Sequence, residues 1–299
     1  MTIIKMIRLL TLLGILLFSN SYGHQNYSEK ETSVEKNIYN ISKIIIEGNK
    51  VTKDLTILRE ILIQENQSFS LEELKISISE SKKNLTNTNL FNFITIDYSI
   101  ILDDITLKIE VVERWYVWPY PILEVSERNF NTWWQDFKSS DYKDFSRLNY
   151  GVFVNIENFR GLNELLMIKL RRGFKEHYLL SYSNLFFNNT KTLGLNSQVE
   201  LFRRKKTYYK TENNELLYFN NNDTYTSKDL LINFELIYRA NLKTNHKLNF
   251  NYLQTTIDST ISYLNSDYLL NNKNTGSFYQ FSYQIINENR DNNKHPLKG

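Results

Sequence analysis

Apolar and polar residues alternate strictly along much of the second half of the chain. In residues 148–156 the even positions carry Leu, Tyr, Val, Val and Ile, whereas the odd positions carry Asn, Gly, Phe and Asn. The same period of two recurs in residues 231–239 and 278–286. Because successive side chains of a β-strand point to opposite faces, each segment has one apolar face. Such a face, about ten residues long, is typical of strands that cross a membrane in a β-barrel.

The alternation predicts eight strands in this half. They are expected at residues 120–129, 148–157, 164–174, 177–187, 192–203, 227–239, 245–257 and 276–287. Most connections are alternately short and long, as in barrels with short periplasmic turns and longer outer loops. The alternative is a soluble sheet whose apolar face packs on a second layer. We find no helical pattern left in this half to supply that layer, which favours the membrane barrel.

Residues 41–112 follow a different pattern. A β-rich run at 41–47 ends at Gly48-Asn49, and apolar residues then recur at helical spacing after Thr52, the predicted N-cap. Ser70, with Glu73 three residues on, predicts a capping box for a second helix. Two strands follow, at 93–101 and 105–112. The order β-α-α-β-β predicts an α+β domain with both helices on one face of a three-stranded sheet.

The stretch that joins the two halves is unusually aromatic. It contains two of the three prolines and all four tryptophans, Trp115, Trp118, Trp133 and Trp134. Aromatic residues with a polar group favour a membrane–water interface, where one end of the ring is dry and the other wet. The alternatives are an aromatic core cluster and an inter-domain linker.

The first 23 residues have the features of a secretory signal peptide. Lys5 and Arg8 precede the apolar run 9–18, and Ser21-Tyr22-Gly23 supplies small residues for cleavage. A membrane anchor is the alternative, but the run is short for a spanning helix. The formal charge is +3, and removing the two leader charges leaves about +1. A near-neutral chain gives no reason to expect a nucleic-acid partner.

Motifs for catalysis or metal binding are not found in the sequence. There are no cysteines, and the four histidines, His24, His177, His246 and His295, are scattered without a partner at metal-ligand spacing. No GxSxG, HExxH or phosphate-binding glycine loop occurs. We therefore expect no catalytic site, no metal and no cofactor.

Short motifs carry a family resemblance. The segments IIIEGNKVT, LREIL, SxxEL and LFNFITIDYSI resemble a POTRA (polypeptide-transport-associated) domain. With NxRGLNE, ERWYxWPxPxLE and the ending NRDNNKHPLKG, the chain is similar to the BamA/TamA superfamily of outer-membrane assembly factors. After the signal peptide at 1–23, the resemblance implies a POTRA domain at 38–114 and barrel from 118 to 299. Barrels of this superfamily have sixteen strands, so we expect the N-terminal part of a longer chain. The alternative is an independent eight-stranded barrel.

The resemblance also implies a function and a location. The POTRA domain would lie in the periplasm and bind unfolded outer-membrane protein clients, with accessory assembly proteins as further partners. The barrel would sit in the outer-membrane bilayer and receive client strands at the seam beside its first strand, by β-augmentation. The residues of the candidate seam strand are Tyr120, Ile122, Leu123, Glu124, Val125 and Ser126.

Alternation within the seam strand predicts that Leu123 and Val125 face lipid, whereas Ile122, Glu124 and Ser126 face the lumen. The tryptophans at 115, 118, 133 and 134 would be interfacial anchors. Two other functions remain open: a passive outer-membrane pore or secretion channel, and a soluble periplasmic binding module.

Overall fold

A computed structural model describes residues 38–290 except 127–129, 144, 189, 191 and 222. The predicted leader at residues 1–23 lies outside the described residues, as does the end of the chain from residue 291.

The first part is an α+β domain. Its elements are β1 (Ile38–Glu47), α1 (Asp54–Leu58), β2 (Ser68–Ser70), α2 (Leu71–Asn87), β3 (Phe91–Ile101) and β4 (Asp104–Glu113). The strand order is β2-β1-β4-β3, with β1 parallel to β4 and the other pairs antiparallel. The prediction of a three-stranded sheet is therefore wrong, because β2 is a fourth strand. The three residues of β2 pair with the start of β1, and a run so short has no recognisable alternation.

The core of this domain lies between the sheet and its helices. Alternate residues of β4 are buried, and they pack with fully buried residues of β1, α1 and α2, namely Ile41, Ile57, Leu74 and Leu85. The predicted capping box is confirmed: the Ser70 hydroxyl accepts from the Glu73 N–H at 3.4 Å, and the Glu73 carboxylate accepts from the Ser70 N–H at 3.0 Å. Thr52, however, is not an N-cap, since α1 begins after Lys53 without a side-chain cap.

The second part is an eight-stranded antiparallel sheet. Its strands are β5 (Val117–Val125), β6 (Leu148–Phe159), β7 (Glu164–Gly173), β8 (Lys175–Phe186), β9 (Leu193–Arg204), β12 (Ser227–Arg239), β13 (Thr244–Ile257) and β14 (Thr275–Asn287). Their order in the sheet is β14-β13-β12-β9-β8-β7-β6-β5. The hairpin β10 (Lys206–Glu212) and β11 (Glu215–Asn220) lies in the connection between β9 and β12. The prediction of eight strands is confirmed.

The register sorts apolar and polar residues onto opposite faces of this sheet. One row of paired residues crosses the whole sheet as Pro119, Val154, Ile168, Leu180, Val199, Ile232, Tyr252 and Tyr279. The adjacent row, on the other face, runs Trp118, Asn155, Met167, Ser181, Gln198, Asn233, Asn251 and Gln280. On the apolar face, large side chains such as Leu180 and Tyr279 remain more than half exposed.

Two helices in this half contradict the expectation that it has none. Helix α3 (Phe130–Ser139) connects β5 to β6, and α4 (Ser259–Leu264) connects β13 to β14. Both lie in connections between strands, outside the segments that alternate with period two. Among the described helices, none is both long enough and apolar enough to cross a membrane.

We expect Leu85→Ala to destabilise the α+β domain by about 2–5 kcal/mol, because Leu85 is fully buried and its loss leaves a cavity. Urea titration of the folded chain, followed by hydrogen exchange of the α2 amides, measures the change. Lys82→Ala on the exposed face of the same helix is the control. Equal effects of the two substitutions would contradict this account of the core.

Candidate functional site

The predicted seam strand lies at one edge of the eight-stranded sheet. Strand β5 begins at Val117 instead of Tyr120, and it pairs with β6 along its whole length without a register shift. Within the described residues it pairs with no second strand. Ser126 lies just beyond the strand, where its N–H donates to the Arg147 carbonyl at 2.9 Å.

The backbone groups of β5 alternate in direction. The Tyr116 carbonyl accepts from the Glu157 N–H at 2.8 Å, and the Ser126 N–H also bonds toward the β6 side. In an antiparallel pair, every second residue exchanges hydrogen bonds with its partner. The even-numbered residues of β5 therefore direct their N–H and C=O groups to β6. Those of the odd-numbered residues point to the open edge.

The side chains of β5 divide as the sequence predicts. Leu123 pairs with Tyr150 and Val125 pairs with Leu148, which places both on the apolar face. Leu123 is 77% exposed, a high value for a large apolar residue. This face therefore continues to the very edge of the sheet.

The other face of β5 is polar or aromatic. Glu124 accepts a hydrogen bond from Arg171 at 3.2 Å, and the ring of Tyr120 stacks on Phe153 with 5.8 Å between centroids. The Ser126 hydroxyl accepts from the Asn149 side chain at 2.9 Å. Ile122 pairs with Gly151, on the same face. These contacts hold the predicted lumen-facing residues in place.

The four tryptophans fall into two pairs, one at each end of β5. Trp115 and Trp118 lie at the end nearer β4, and the Trp115 indole N–H donates to the Val117 carbonyl. Trp133 and Trp134 lie on α3, beyond the other end. Trp134 is partly exposed, but Trp133 is 8% exposed and stacks on Phe137 at 5.0 Å.

Helix α3 carries an aromatic cluster that the sequence reasoning missed. Phe130, Trp133, Trp134 and Phe137 contact one another, and Tyr142 and Phe145 join them from the following turn. The spacing i, i+3, i+4 and i+7 is that of one face of a helix, and it could have revealed α3.

The turn between β6 and β7 connects the sheet to the α+β domain. The Gly161 carbonyl accepts hydrogen bonds from the Lys53 N–H and the Thr56 hydroxyl, both at 2.9 Å. Asn158 donates to the Thr52 hydroxyl at 2.8 Å. Gly161 has φ +75°, and a Cβ there would lie 2.1 Å from the Val51 carbonyl oxygen. Only glycine permits both this conformation and this approach.

Glu164 closes the same turn. Its carboxylate, 2% exposed, accepts from Arg160 at 2.9 and 2.6 Å and from the Tyr182 hydroxyl at 2.7 Å. The Asn158 side chain accepts from the Asn163 N–H at 2.9 Å. The NxRGLNE motif, used above only for its resemblance, thus encodes a rigid turn whose glycine contacts the first domain.

Glu113, at the end of β4, fixes the loop that enters this contact. Its carboxylate accepts from the N–H groups of Lys50, Val51 and Thr52 at 2.6–3.1 Å. Burial opposes ionisation of Glu113, but the hydrogen bonds from Thr52, Val51 and Lys50 hold its pKa below the usual range. Beside it, the Tyr116 hydroxyl donates to the Leu90 carbonyl at 2.8 Å. Burial raises the pKa of Tyr116.

A second contact between the domain and the sheet is ionic. Glu60 lies 3.2 Å from the Arg239 guanidinium of β12 and 2.5 Å from that of Arg59. Burial opposes ionisation of Glu60, but the charges of Arg59 and Arg239 together hold its pKa below the usual range. The two partners are 179 residues apart, and no local pattern signals the pairing.

The described residues were searched for metal-binding groups and for histidines with catalytic partners. No group of three or more His, Asp or Glu side chains there could hold a metal ion. His177 lies 3.2 Å from Glu200, and His246 lies 2.7 Å from the Tyr283 hydroxyl. Both histidines are thus parts of cross-strand polar pairs.

Comparison with known proteins gives one family match and several solved structures. The family model described as "POTRA: Surface antigen variable number repeat" matches residues 39–114. BamA from Haemophilus ducreyi, in a crystal structure lacking POTRA domains 1-3, is similar with 16% identity and a TM-score of 0.50, over 87% of this chain and 46% of that one. CdiB from Acinetobacter baumannii matches with 9% identity and a TM-score of 0.40, over 83% of this chain and 42% of that one. No curated protein matches the sequence.

Fold and comparisons together define the class of protein. The chain joins a POTRA-like α+β region to an eight-stranded antiparallel sheet that matches part of the BamA barrel. The chain is therefore similar to proteins that join POTRA domains to a barrel of the BamA/TamA type. The predicted resemblance and fold class are confirmed. The chain spans less than half the length of this BamA chain and of the Acinetobacter baumannii CdiB chain.

We expect Gly161→Ala to loosen the POTRA domain from the sheet, because the added methyl collides with the Val51 carbonyl. Hydrogen exchange at the Lys53 amide should accelerate at least tenfold, while the POTRA core amides stay protected. Gly276→Ala is the matched control, since its Cβ would meet only the Leu269 side chain at 3.4 Å. Unchanged protection of Lys53 in G161A would contradict the role of this turn.

We expect Glu60→Gln to destabilise the folded chain at neutral pH, because it leaves the partly buried Arg59 and Arg239 without a counter-charge. A carboxylate with a lowered folded-state pKa stabilises the fold above its unfolded pKa of about 4.3, and this contribution is lost as pH falls. The difference between wild type and variant should therefore shrink below about pH 4.3. Urea midpoints measured across pH test this, with the exposed Glu80→Gln as control.

Proposed function

We propose that this protein is an outer-membrane assembly or translocation factor. Its POTRA domain receives unfolded clients in the periplasm, and its barrel inserts or exports them by lending the β5 edge to a client strand. The observation that carries the proposal is a sheet with one exposed apolar face, held directly against a POTRA domain.

The apolar face supports placement in a bilayer. Its residues extend in register across all eight strands, and in the described part of the chain no helix or second sheet covers them. In water such a large apolar area would be unfavourable at about 25 cal/mol per Å². Against hydrocarbon it costs nothing, and the sheet pairing satisfies the backbone groups that lipid cannot.

Strand length supports the same placement. The nine residues of β5 are about 30 Å long at ~3.3 Å per residue. Tilted by ~40°, they would span about 23 Å, close to the ~25 Å apolar band of outer-membrane barrels. We propose that Trp115 and Trp118 lie at the level of the periplasmic interface, with Trp118 on the polar face of the sheet, and that Trp133 and Trp134, on α3, mark the outer interface.

The POTRA sheet offers a second pairing edge to clients. Strand β3 is a long edge strand, whereas the opposite edge strand, β2, has only three residues. Phe93 and Ile101 on β3 are each 71% exposed. A long edge with exposed apolar side chains suits an extended client segment. Such a segment binds through main-chain hydrogen bonds, which do not depend on its particular sequence.

We expect the double substitution Leu123→Asp and Val125→Asp to impair membrane insertion of the full-length protein. Charges on the lipid-facing side of a strand are unfavourable, and two of them on one strand act together. Heat-modified gel mobility after folding into liposomes measures insertion. The control is Ile122→Asp on the opposite face of the same strand, which should insert normally. Normal insertion of the double variant would contradict the membrane assignment.

Depletion in cells separates the assembly factor from a passive pore. We expect other outer-membrane barrels to lose heat-modifiable, folded forms when this protein is depleted. A passive pore predicts ion conductance in planar bilayers and normal assembly of the other barrels. Recovery of the protein in the soluble periplasm without detergent would contradict both functions.

A further inference from the structure

A row of charged side chains borders the apolar face of the eight-stranded sheet at the end remote from the POTRA domain. The row consists of Arg172 on β7, Glu176 on β8, Arg203 on β9 and Lys228 on β12, which lie side by side on adjacent strands. The POTRA domain contacts the opposite end of the sheet, at the β6–β7 turn. All four strands lie in the interior of the sheet, so the row does not depend on either sheet edge.

The apolar face begins directly beside this charged row. The next row on the same face, two residues closer to the POTRA domain along each strand, is Val152, Leu170, Tyr178, Leu201, Leu230, Gln254 and Ser277. This row contains no charged residue, and its Leu170 is 49% exposed. In the proposed bilayer placement, the charged row therefore lies where the apolar band ends, at the level of the outer-leaflet headgroups.

Glu176 holds the arginines of the row in place. Its carboxylate is 3% exposed, forms an ion pair with Arg203 and lies 3.7 Å from the Arg172 guanidinium. The Tyr225 hydroxyl also hydrogen-bonds to this carboxylate, and the Tyr225 ring lies 4.6 Å from the Arg203 guanidinium. One buried carboxylate thus orients two arginines, although it can neutralise the charge of only one.

The row is positively charged, and its cations are accessible. Three cations face a single carboxylate; the Arg172 side chain is 66% exposed and Lys228 is also exposed. Arg172 and Lys228 are three strands apart, about 14 Å at ~4.8 Å per strand, with Arg203 between them. Guanidinium groups bind phosphate through two parallel hydrogen bonds, and an ammonium binds it as a point charge. A headgroup with two separated phosphates can therefore contact both ends of the row.

We propose that this row binds the phosphates of a phosphorylated glycolipid in the outer leaflet, whose acyl chains lie on the adjoining apolar row. The inference rests on the proposed function for its membrane placement, but it involves neither the seam nor a client. Charge complementarity selects the phosphorylated headgroup, and the adjoining apolar row selects a lipid over a free anion. The bound lipid anchors the outer end of the interior strands.

The probe is lipid A with both phosphates, titrated into the full-length protein folded in zwitterionic detergent micelles. Native mass spectrometry measures how much protein retains the lipid. The same lipid without phosphates and inorganic phosphate are the comparison ligands. Arg172→Gln with Lys228→Gln removes two exposed charges of the row and leaves its buried ion pair in place. Lys169→Gln with Lys247→Gln removes two charges from the opposite face and is the matched control.

We expect the row variant to bind lipid A about tenfold more weakly than the wild type, because two basic contacts to phosphate are lost. The control variant should bind like the wild type, and the lipid without phosphates should bind the wild type as weakly as lipid A binds the row variant. Equal binding of lipid A to wild type and row variant would overturn the proposal, as would equal binding of the two lipids. Displacement of lipid A by inorganic phosphate would also overturn it, since the site would then be one for a free anion.

Insertion into liposomes, measured by heat-modified gel mobility, separates this inference from the proposed function. If the wild type does not insert, the membrane placement fails and the proposed function fails with it. If the wild type and both variants insert but the row variant keeps full affinity for lipid A, the lipid site alone is wrong.

Discussion

The unbroken pairing between β5 and β6 determines how the side chains and backbone groups of β5 are oriented. A register without a bulge means that parity alone decides which side chains face the apolar surface and which backbone groups reach the open edge. A slip of one residue would turn Leu123 and Val125 to the polar face. It would also turn the prolines into β6, where each would remove a ladder hydrogen bond. The placement of the prolines and of the apolar side chains of β5 follows from this one alignment.

The junction with the POTRA domain is the second constraint. It is built from polar contacts at two separate places, the Gly161 turn and the Glu60–Arg239 ion pair. Two separated contacts resist rotation better than one, so the domain is held at a defined position beside β5. The contact at Gly161 is made by a backbone carbonyl and requires a positive φ at this residue. A side chain elsewhere in the turn therefore cannot make the same contact.

Local patterns predicted the elements well where one periodicity dominated. The eight strands of the sheet and the Ser70 capping box followed from alternation and from a known cap spacing. Thr52 misled because a threonine before a helical run matches an N-cap, whereas its hydroxyl bonds to Asn158 across the junction. Helix α3 was missed because its aromatic residues were interpreted as interfacial anchors or a core cluster, without regard to their helical spacing. Strand β2 was missed because three residues show no period.

The sequence by itself determined the two-part architecture, the two faces of the sheet and the aromatic stretch between the domains. These are properties of neighbouring residues, and hydrophobic periodicity records them directly. Only the tertiary structure decided which residues meet across long separations, such as Glu60 with Arg239 and Thr52 with Asn158. It also decided that Pro119 and Pro121 point to the open edge. That direction depends on which strand β5 pairs with and in what register, and no single segment encodes either.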